Sequence, residues 1–141
     1  MIHSTLFADR VRELFSPTPR GVVGLVEDLL GLCLQHQLCI DFDDNHCHIR
    51  PLGTEQQDSL DVPLPKSVFR AILARVAALC NEQNPGSVTP YRGEGEVVVP
   101  TSHTGNGVSP STCYVEFTNT PSDQQLEVRF SKNSSRITET T

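Results

Sequence analysis

The sequence predicts an α+β domain in which helices pack against antiparallel β-hairpins, and three observations lead to this prediction. Residues 63–83 have an apolar residue at every third or fourth position, which is typical of a one-sided helix. Residues 39–51 contain two runs of alternating apolar and polar residues around an Asp/Asn turn, the pattern of a β-hairpin with one solvated face. Residues 113–130 repeat this pattern around a turn that contains Pro121. A one-sided helix is stable only against another apolar surface, which the hairpins supply.

The helix of residues 63–83 is the clearest element. Its apolar stripe consists of Val68, Phe69, Ile72, Leu73, Val76, Leu79 and Cys80. Pro65 suits a first helical turn, where its missing N–H costs nothing, and residues 84–86 (Asn-Pro-Gly) stop the helix. The remaining surface includes Lys66, Arg70 and Arg75. This basic face either is solvated or meets the acidic first half of the chain or a partner.

Three segments divide the chain. Residues 1–19 form an N-terminal helix to about Phe15, capped by Ser4 or Thr5, followed by a stiff proline-rich linker. This helix is expected to be an appendage that docks on the domain or on another copy. Residues 20–132 form a single α+β domain that starts with a helix from Arg20 or Gly21 to about Gln37. Residues 133–141 are expected to be a flexible tail.

The remaining elements are short. Leu60–Val62 is expected to be a third strand leading into the long helix, and Glu94–Val99 is a further strand candidate. Residues 53–59 form a polar loop, residues 84–92 are irregular, and residues 100–111, with their Gly, Ser, Thr and Pro, are expected to be a mobile loop.

Composition excludes several classes of function. The 141 residues suffice for one domain, and a formal net charge of −6 argues against a general nucleic-acid binder. Residues 1–62 hold ten acidic and four basic residues, so the negative charge lies in the first half. No apolar run approaches the roughly 20 residues that span a bilayer. Without a signal peptide, the five cysteines are expected to be reduced, in a cytoplasmic protein.

The sharpest metal-site candidate combines thiols and imidazoles near the first hairpin. These low-probability zinc candidates are Cys33, His36, Cys39, His46, Cys47 and His48. Thiolates and imidazoles are the preferred ligands of zinc, but no CxxC or HxxxH pair is present. Cys33 falls on an apolar helical stripe and Cys47 alternates inward with Ile49, as buried structural cysteines do. The sequence therefore predicts no metal and no cofactor.

Catalytic signatures are absent from the sequence. His46 and His48 share one face of a strand and could bind a metal or sense pH, or simply be solvated. Asp41, Asp43 and Asp44 lie at a turn beside water, where acid/base catalysis is disfavoured. No glycine-rich phosphate-binding loop and no nucleophile elbow occurs.

Residues 24–132 resemble the small domain that precedes the nucleotide-binding core in type II secretion and type IV pilus assembly ATPases. The similar segments are LVEDLLGLCLQHQ, LCIDFDD, HCHIRPLG, VPLPKSVFRAILARVAAL and YVEFTNTPSDQQLEVRF. Two motifs of that family differ in this sequence. The Arg-x-Asp-Gly turn of the family appears as residues 50–53, and its Pro-Gln-Asp-Gly-Arg run is at best represented by residues 91–95. No phosphate-binding loop is present, so the resemblance does not imply ATP hydrolysis.

The resemblance implies a PAS-like two-layer domain, with an antiparallel sheet of about five to six strands and helices packed on one face. It implies a non-enzymatic interaction or regulatory module that binds a protein partner or itself, such as a secretion or pilus assembly component. The alternative is a small-ligand or zinc sensor that uses the sheet–helix crevice or the Cys/His cluster. A third hypothesis, an enzyme using His46 or His48 with Asp41, requires a deep pocket that brings these groups together.

Overall fold

The computed structural model describes residues 2–15, 21–52, 59–99 and 111–130, with side chains from residue 8 onward. The helices are α1 (Ile2–Leu14), α2 (Val22–Leu32) and α3 (Lys66–Gln83). The strands are β1 (Leu38–Asp43), β2 (His46–Pro51), β3 (Leu60–Val62), β4 (Arg92–Val99), β5 (Ser111–Thr120) and β6 (Asp123–Phe130). None of the described helices combines the length and hydrophobicity that crossing a membrane requires.

The six strands form one antiparallel sheet in the order β3-β2-β1-β6-β5-β4. The predicted α+β class is therefore confirmed. The two halves of the chain meet at the β1–β6 pair, and α3 joins β3 at one edge to β4 at the other. Six strands are about 24 Å wide and an 18-residue helix is about 27 Å long, so α3 has the length needed to cross the sheet.

The core lies between the helices and one face of the sheet. Alternate residues of every strand are buried with the helices, for example Ile49, Val97, Val115 and Val128. The buried residues of α3 are Phe69, Ile72, Leu73, Val76, Ala77 and Cys80. This helix packs on β4, β5 and β6 and also contacts α2. The predicted apolar stripe of residues 63–83 is thus the face that seats the helix on the sheet.

Both predicted hairpins are present. In the first, Asp44 and Asn45 have φ values of 55° and 66°, as the two central residues of a type I′ turn require. Asp and Asn tolerate this left-handed region better than most residues. The second hairpin turns at Pro121 and Ser122, and both of its strands are longer than expected.

Helix boundaries differ from expectation in three places. The long helix begins at Lys66 rather than at residue 63, and Pro65 is its N-cap. The first helix begins at Ile2, so Ser4 and Thr5 lie within it rather than at its cap. The second ends at Leu32 instead of about Gln37. The amides of Leu34 and Gln35 donate to the carbonyls of Gly31 and Leu32, in tight turns that lead the chain into β1. The predicted proline-rich linker, the loops of residues 53–59 and 100–111 and the tail of residues 133–141 lie wholly or mainly outside the described residues.

The N-terminal helix α1 contacts α2 of the same chain. Val11 and Leu14 are buried in the common core, and Arg10 Nη1 donates to Gln35 Oε1 at 3.0 Å. Of the two expected docking modes, the structure shows α1 docked on its own domain.

The basic face of α3 contacts its own domain. Arg70 Nε donates to Asn119 Oδ1 at 2.9 Å, and Asn119 Nδ2 donates to the Arg70 carbonyl at 3.3 Å. Asn119 is buried, so these bonds satisfy an amide that would otherwise destabilise the core. Arg75 lies 4.0 Å from Glu82 on the same helix. Arg70 is thus held by β5, whereas Arg75 Nε is buried and has no hydrogen-bond partner among the described residues.

Gly93 in β4 lies against the loop that follows α3. A Cβ at this position would stand 2.4 Å from Val88 Cβ. Val88 cannot move away easily, because its N–H donates to Asn81 Oδ1 at 3.1 Å and its carbonyl accepts from Asn81 Nδ2 at 3.3 Å. Only glycine allows this close approach.

We expect Gly93→Ala to lower the free energy of unfolding by about 1–3 kcal/mol, because the added methyl group overlaps Val88. Gly95→Ala is the matched control in the same strand, since its Cβ would meet Cys80 Sγ at an ordinary 3.7 Å. Urea denaturation of both variants measures the difference. Equal losses of stability would contradict the close packing of Gly93 against Val88.

Candidate functional site

The outer face of the sheet, opposite the helices, is polar and largely charged. Its side chains include Asp41, Asp43, His46, His48, Arg50, Asp61, Glu94, Glu96, Tyr114, Glu116, Gln125, Glu127 and Arg129. All of them are exposed or half-buried. Because side chains alternate across a strand, the pattern that buries one face of each strand also places these residues on the other.

One cluster on this face surrounds His48 in β2. Its Nδ1 lies 2.5 Å from Asp61 Oδ1 in the neighbouring strand β3. The hydrogen bond to Asp61 raises the pKa of His48, and the nearby charges of Asp61, Asp41 and Asp43 act in the same direction against a smaller effect of burial. This bond ties the three-residue edge strand to the rest of the sheet.

Arg50 covers the adjoining part of the face. Its Nη2 lies 3.6 Å from Asp41 Oδ2 and donates to Cys39 Sγ at 3.5 Å. Cys39 points to the outer face and is nevertheless only 5% exposed. A second oxygen, Asp41 Oδ1, is buried and has no hydrogen-bond partner within the described part of the chain. The cluster therefore contains a carboxylate, a guanidinium and a shielded thiol.

A second cluster is a row of carboxylates that runs across β4, β5 and β6. Glu94 pairs with Glu116 across β4 and β5, and Glu116 pairs with Glu127 across β5 and β6. Directly opposed residues have Cβ atoms about 5 Å apart, and like charges there are destabilising. Arg129 offsets the repulsion at the Glu127 end of the row, since its Nη2 donates to Glu127 Oε1 at 2.9 Å. We call Glu94, Glu116 and Glu127 the carboxylate row.

Tyr114 lies beside this row. Burial, a hydrogen bond to Glu94 and the neighbouring carboxylates raise the pKa of Tyr114 to about 12. The phenol therefore remains protonated at neutral pH. It is a hydrogen-bond donor on an acidic surface.

The six zinc candidates do not come together. Cys33 is fully buried with the helices, whereas Cys39 and Cys47 lie on opposite faces of the sheet. Within the described ranges, no group of three or more Cys, His, Asp or Glu side chains is placed to hold a metal ion. His36 lies near Arg10, and burial and that positive charge lower its pKa. His46 Nδ1 contacts the Asp44 carbonyl at 3.0 Å, within its own turn.

The five cysteines are free, buried thiols. Burial raises the pKa of Cys47 and Cys113 to about 12 and that of Cys80 to about 11. Burial likewise raises the pKa of Cys33 and of Cys39. Since the thiolate is both the nucleophile and the metal ligand, these protonated groups suit packing better than chemistry.

The structure does not pair His46 or His48 with Asp41 as the enzyme hypothesis requires. Asp41 is the cross-strand neighbour of His48, yet the His48 ring bonds Asp61 and the nearer partner of Asp41 is Arg50. Sequence reasoning missed Asp61. The alternation of Leu60-Asp61-Val62 placed this carboxylate on the polar face, but the sequence did not show that β3 pairs with β2.

An open groove of about 520 Å³ lies between α1 and α2. Its lining residues are Arg10, Glu13, Leu14, Asp28, Gly31, Leu32 and Gln35. It is separate from the sheet–helix interface, where a ligand crevice was the alternative expectation. Core side chains such as Leu29, Phe69 and Leu126 are buried at that interface. The groove contains no cysteine or histidine among these residues.

Comparisons with known proteins add no assignment. No protein-family model matches the chain, and a search of curated proteins finds no significant match.

The raised pKa of His48 predicts how stability depends on pH. Because the folded-state pKa lies above the unfolded value of about 6.5, the His48–Asp61 bond stabilises most below that value. The stabilisation falls as pH rises through the folded-state pKa. Both side chains are partly exposed, so the maximum is about 0.2–1 kcal/mol.

We therefore expect Asp61→Asn to destabilise the protein more at pH 5.5 than at pH 9, as measured by urea denaturation. The pKa of His48 from NMR titration should fall in the same variant. Asp44→Asn is the matched control, because Asp44 is an exposed carboxylate of the neighbouring hairpin turn whose φ asparagine also tolerates. A destabilisation by Asp61→Asn that does not depend on pH would contradict the assigned bond.

Proposed function

We propose that this chain is a non-catalytic interaction or regulatory module that binds a protein partner or a second copy of itself. The supporting observation is the outer face of the six-stranded sheet, on which none of the described helices packs. A hydrophobic core requires that one face of the sheet be covered, but nothing in folding requires the other face to be buried. That face is therefore available for binding.

The geometry of the polar groups favours binding over catalysis. Catalysis relies on preorganised groups in a site that excludes water. His48 and Asp61 instead lie on an open sheet surface, with side chains 34% and 60% exposed. The nearby thiol of Cys39 is shielded by Arg50, and its pKa is raised. Such groups provide charge and hydrogen bonds for recognition.

The resemblance to the pre-core domain of secretion and pilus assembly ATPases supports the same proposal. The observed order of α2, β1, β2, β3, α3 and then three further strands agrees with the order of segments on which that resemblance was based. The proposed partner is a cytoplasmic component of such an assembly. Because no phosphate-binding motif occurs in the sequence, the proposed role is regulation or scaffolding rather than ATP hydrolysis.

Two measurements on the full chain test the proposal. Light scattering over a range of concentrations determines whether the purified chain self-associates, and affinity purification from its native cell followed by mass spectrometry determines whether a stoichiometric partner is retained. We expect a dimer or a stoichiometric partner. Gln125→Arg should weaken that association, because Gln125 is exposed on the outer face, where an added bulky cation obstructs docking.

Glu27→Arg is the matched control, since Glu27 is exposed on α2 away from the outer face. It should retain the association. A strictly monomeric chain that retains no partner would reject the proposed function. Loss in Glu27→Arg but not in Gln125→Arg would show that the helical surface, rather than the outer face, is involved.

A further inference from the structure

The sheet has one long edge, formed by β4. This strand is last in the strand order, and all eight of its residues pair in regular register with β5. At the other edge, β3 has only three residues. A long, regular edge strand presents its backbone groups to another extended chain, and proteins commonly block such edges with lysine, proline, bulges or a covering element.

The register shows which backbone groups of β4 point outward. The backbone N–H of Asn119 donates to the Tyr91 carbonyl at 2.7 Å. In an antiparallel pair every second residue forms such bonds. The β4 residues that bond to β5 are therefore Gly93, Gly95, Val97 and Val99. The intervening residues direct their backbone groups away from β5. Arg92 is satisfied locally, since its carbonyl accepts from the Thr89 amide at 3.1 Å.

Glu94 and Val98 direct their backbone N–H and C=O groups outward from the edge of the sheet. In the described part of the chain, no strand pairs with β4 on their side. The strand contains no lysine or proline, and its eight residues run without a bulge. Lysine, proline and bulges are thus missing along this edge, whereas its charged side chains, Arg92, Glu94 and Glu96, restrict which strand can be added.

The charge beside this edge indicates the kind of strand that it accepts. The carboxylate row starts at Glu94 on β4 and continues inward through Glu116 to Glu127. A strand added to β4 would place every second side chain on the outer face, with one of them directly opposite Glu94. Lysine or arginine at those positions would offset the repulsion within the row. The intervening side chains would lie beside Val97 and Val99 on the helix side, where apolar residues fit.

A second copy of β4 fits less well. Antiparallel pairing of two such strands in the registers that use most of their length brings the glutamates of one copy against those of the other. Charge therefore favours a basic strand over self-association at this edge.

We infer that the free edge of β4 is where the proposed protein partner docks, and that it binds an extended segment with lysine or arginine at every second position. The added strand gains main-chain hydrogen bonds with Glu94 and Val98 and an ion pair with Glu94, the end of the carboxylate row that lies at this edge. This inference rests on the proposed function and specifies the partner's local chemistry.

Fluorescence anisotropy with the folded full chain tests the inference. The probe is a labelled peptide as long as β4, with capped ends and alternating Lys and Val. Its isomer with contiguous lysines has the same composition and charge but cannot place them all on one face. We expect the alternating peptide to bind at least about tenfold more tightly than the isomer, and binding to weaken as salt rises.

Two variants probe the backbone and the charge separately. Val98→Pro removes an outward N–H without removing a bond to β5, and Glu94→Lys reverses the charge beside the edge. Each should weaken binding of the alternating peptide at least about tenfold. Val98→Thr and Glu27→Lys are the matched controls and should bind as the wild type does. Circular dichroism checks folding, and Glu94→Lys remains decisive if Val98→Pro unfolds.

Equal binding of the two peptides, or wild-type affinity in both variants, would overturn the inference. A dimer of the chain that Val98→Pro disrupts would also overturn it, because the edge would then belong to a second copy. If the chain retains a stoichiometric partner but does not bind the alternating peptide, the β4 assignment fails while the proposed function stands. If it retains no partner and remains monomeric, the proposed function itself fails.

Discussion

The packing of α3 across the sheet is the constraint on which the rest of the structure depends. The helix joins the two edge strands, so its buried side chains, among them Phe69 and Leu73, must cover the sheet that they connect. Burying each side chain of this kind stabilises the fold by about 1.5–3 kcal/mol. Because the helices occupy that side, each strand turns its polar residues to the other side. The open outer face follows directly from the packing of the helix.

Much of this architecture could be predicted from local sequence patterns. The helical period of residues 63–83 identified α3, and the alternation around Asp44 and Asn45 identified the first hairpin. Alternation also placed Cys47 inward. The strand order could not be predicted, because the β1–β6 pair joins residues distant in the sequence and no local period specifies it. The end of α2 at Leu32 was missed since apolar residues continue past it while the chain turns toward β1.

The candidate site was predicted only in part. Histidine and aspartate alternation placed His48 on a solvated face, but its partner Asp61 depends on the pairing of β3 with β2. The carboxylate row likewise exists only once β4, β5 and β6 are in register. β5 and β6 each contain one glutamate and β4 contains two, all in ordinary alternating patterns. Long-range register therefore converts unremarkable surface residues into a concentrated acidic surface beside an open edge.

Backbone amide exchange of the isolated chain, followed residue by residue by NMR, tests the open edge of β4 most directly. Amides that bond to β5 exchange slowly, whereas amides directed to solvent exchange quickly. We expect protection at Gly93, Gly95 and Val97 and rapid exchange at Glu94 and Val98. Equally slow exchange at Glu94 and Val98 would show that this edge is already covered and would contradict the account.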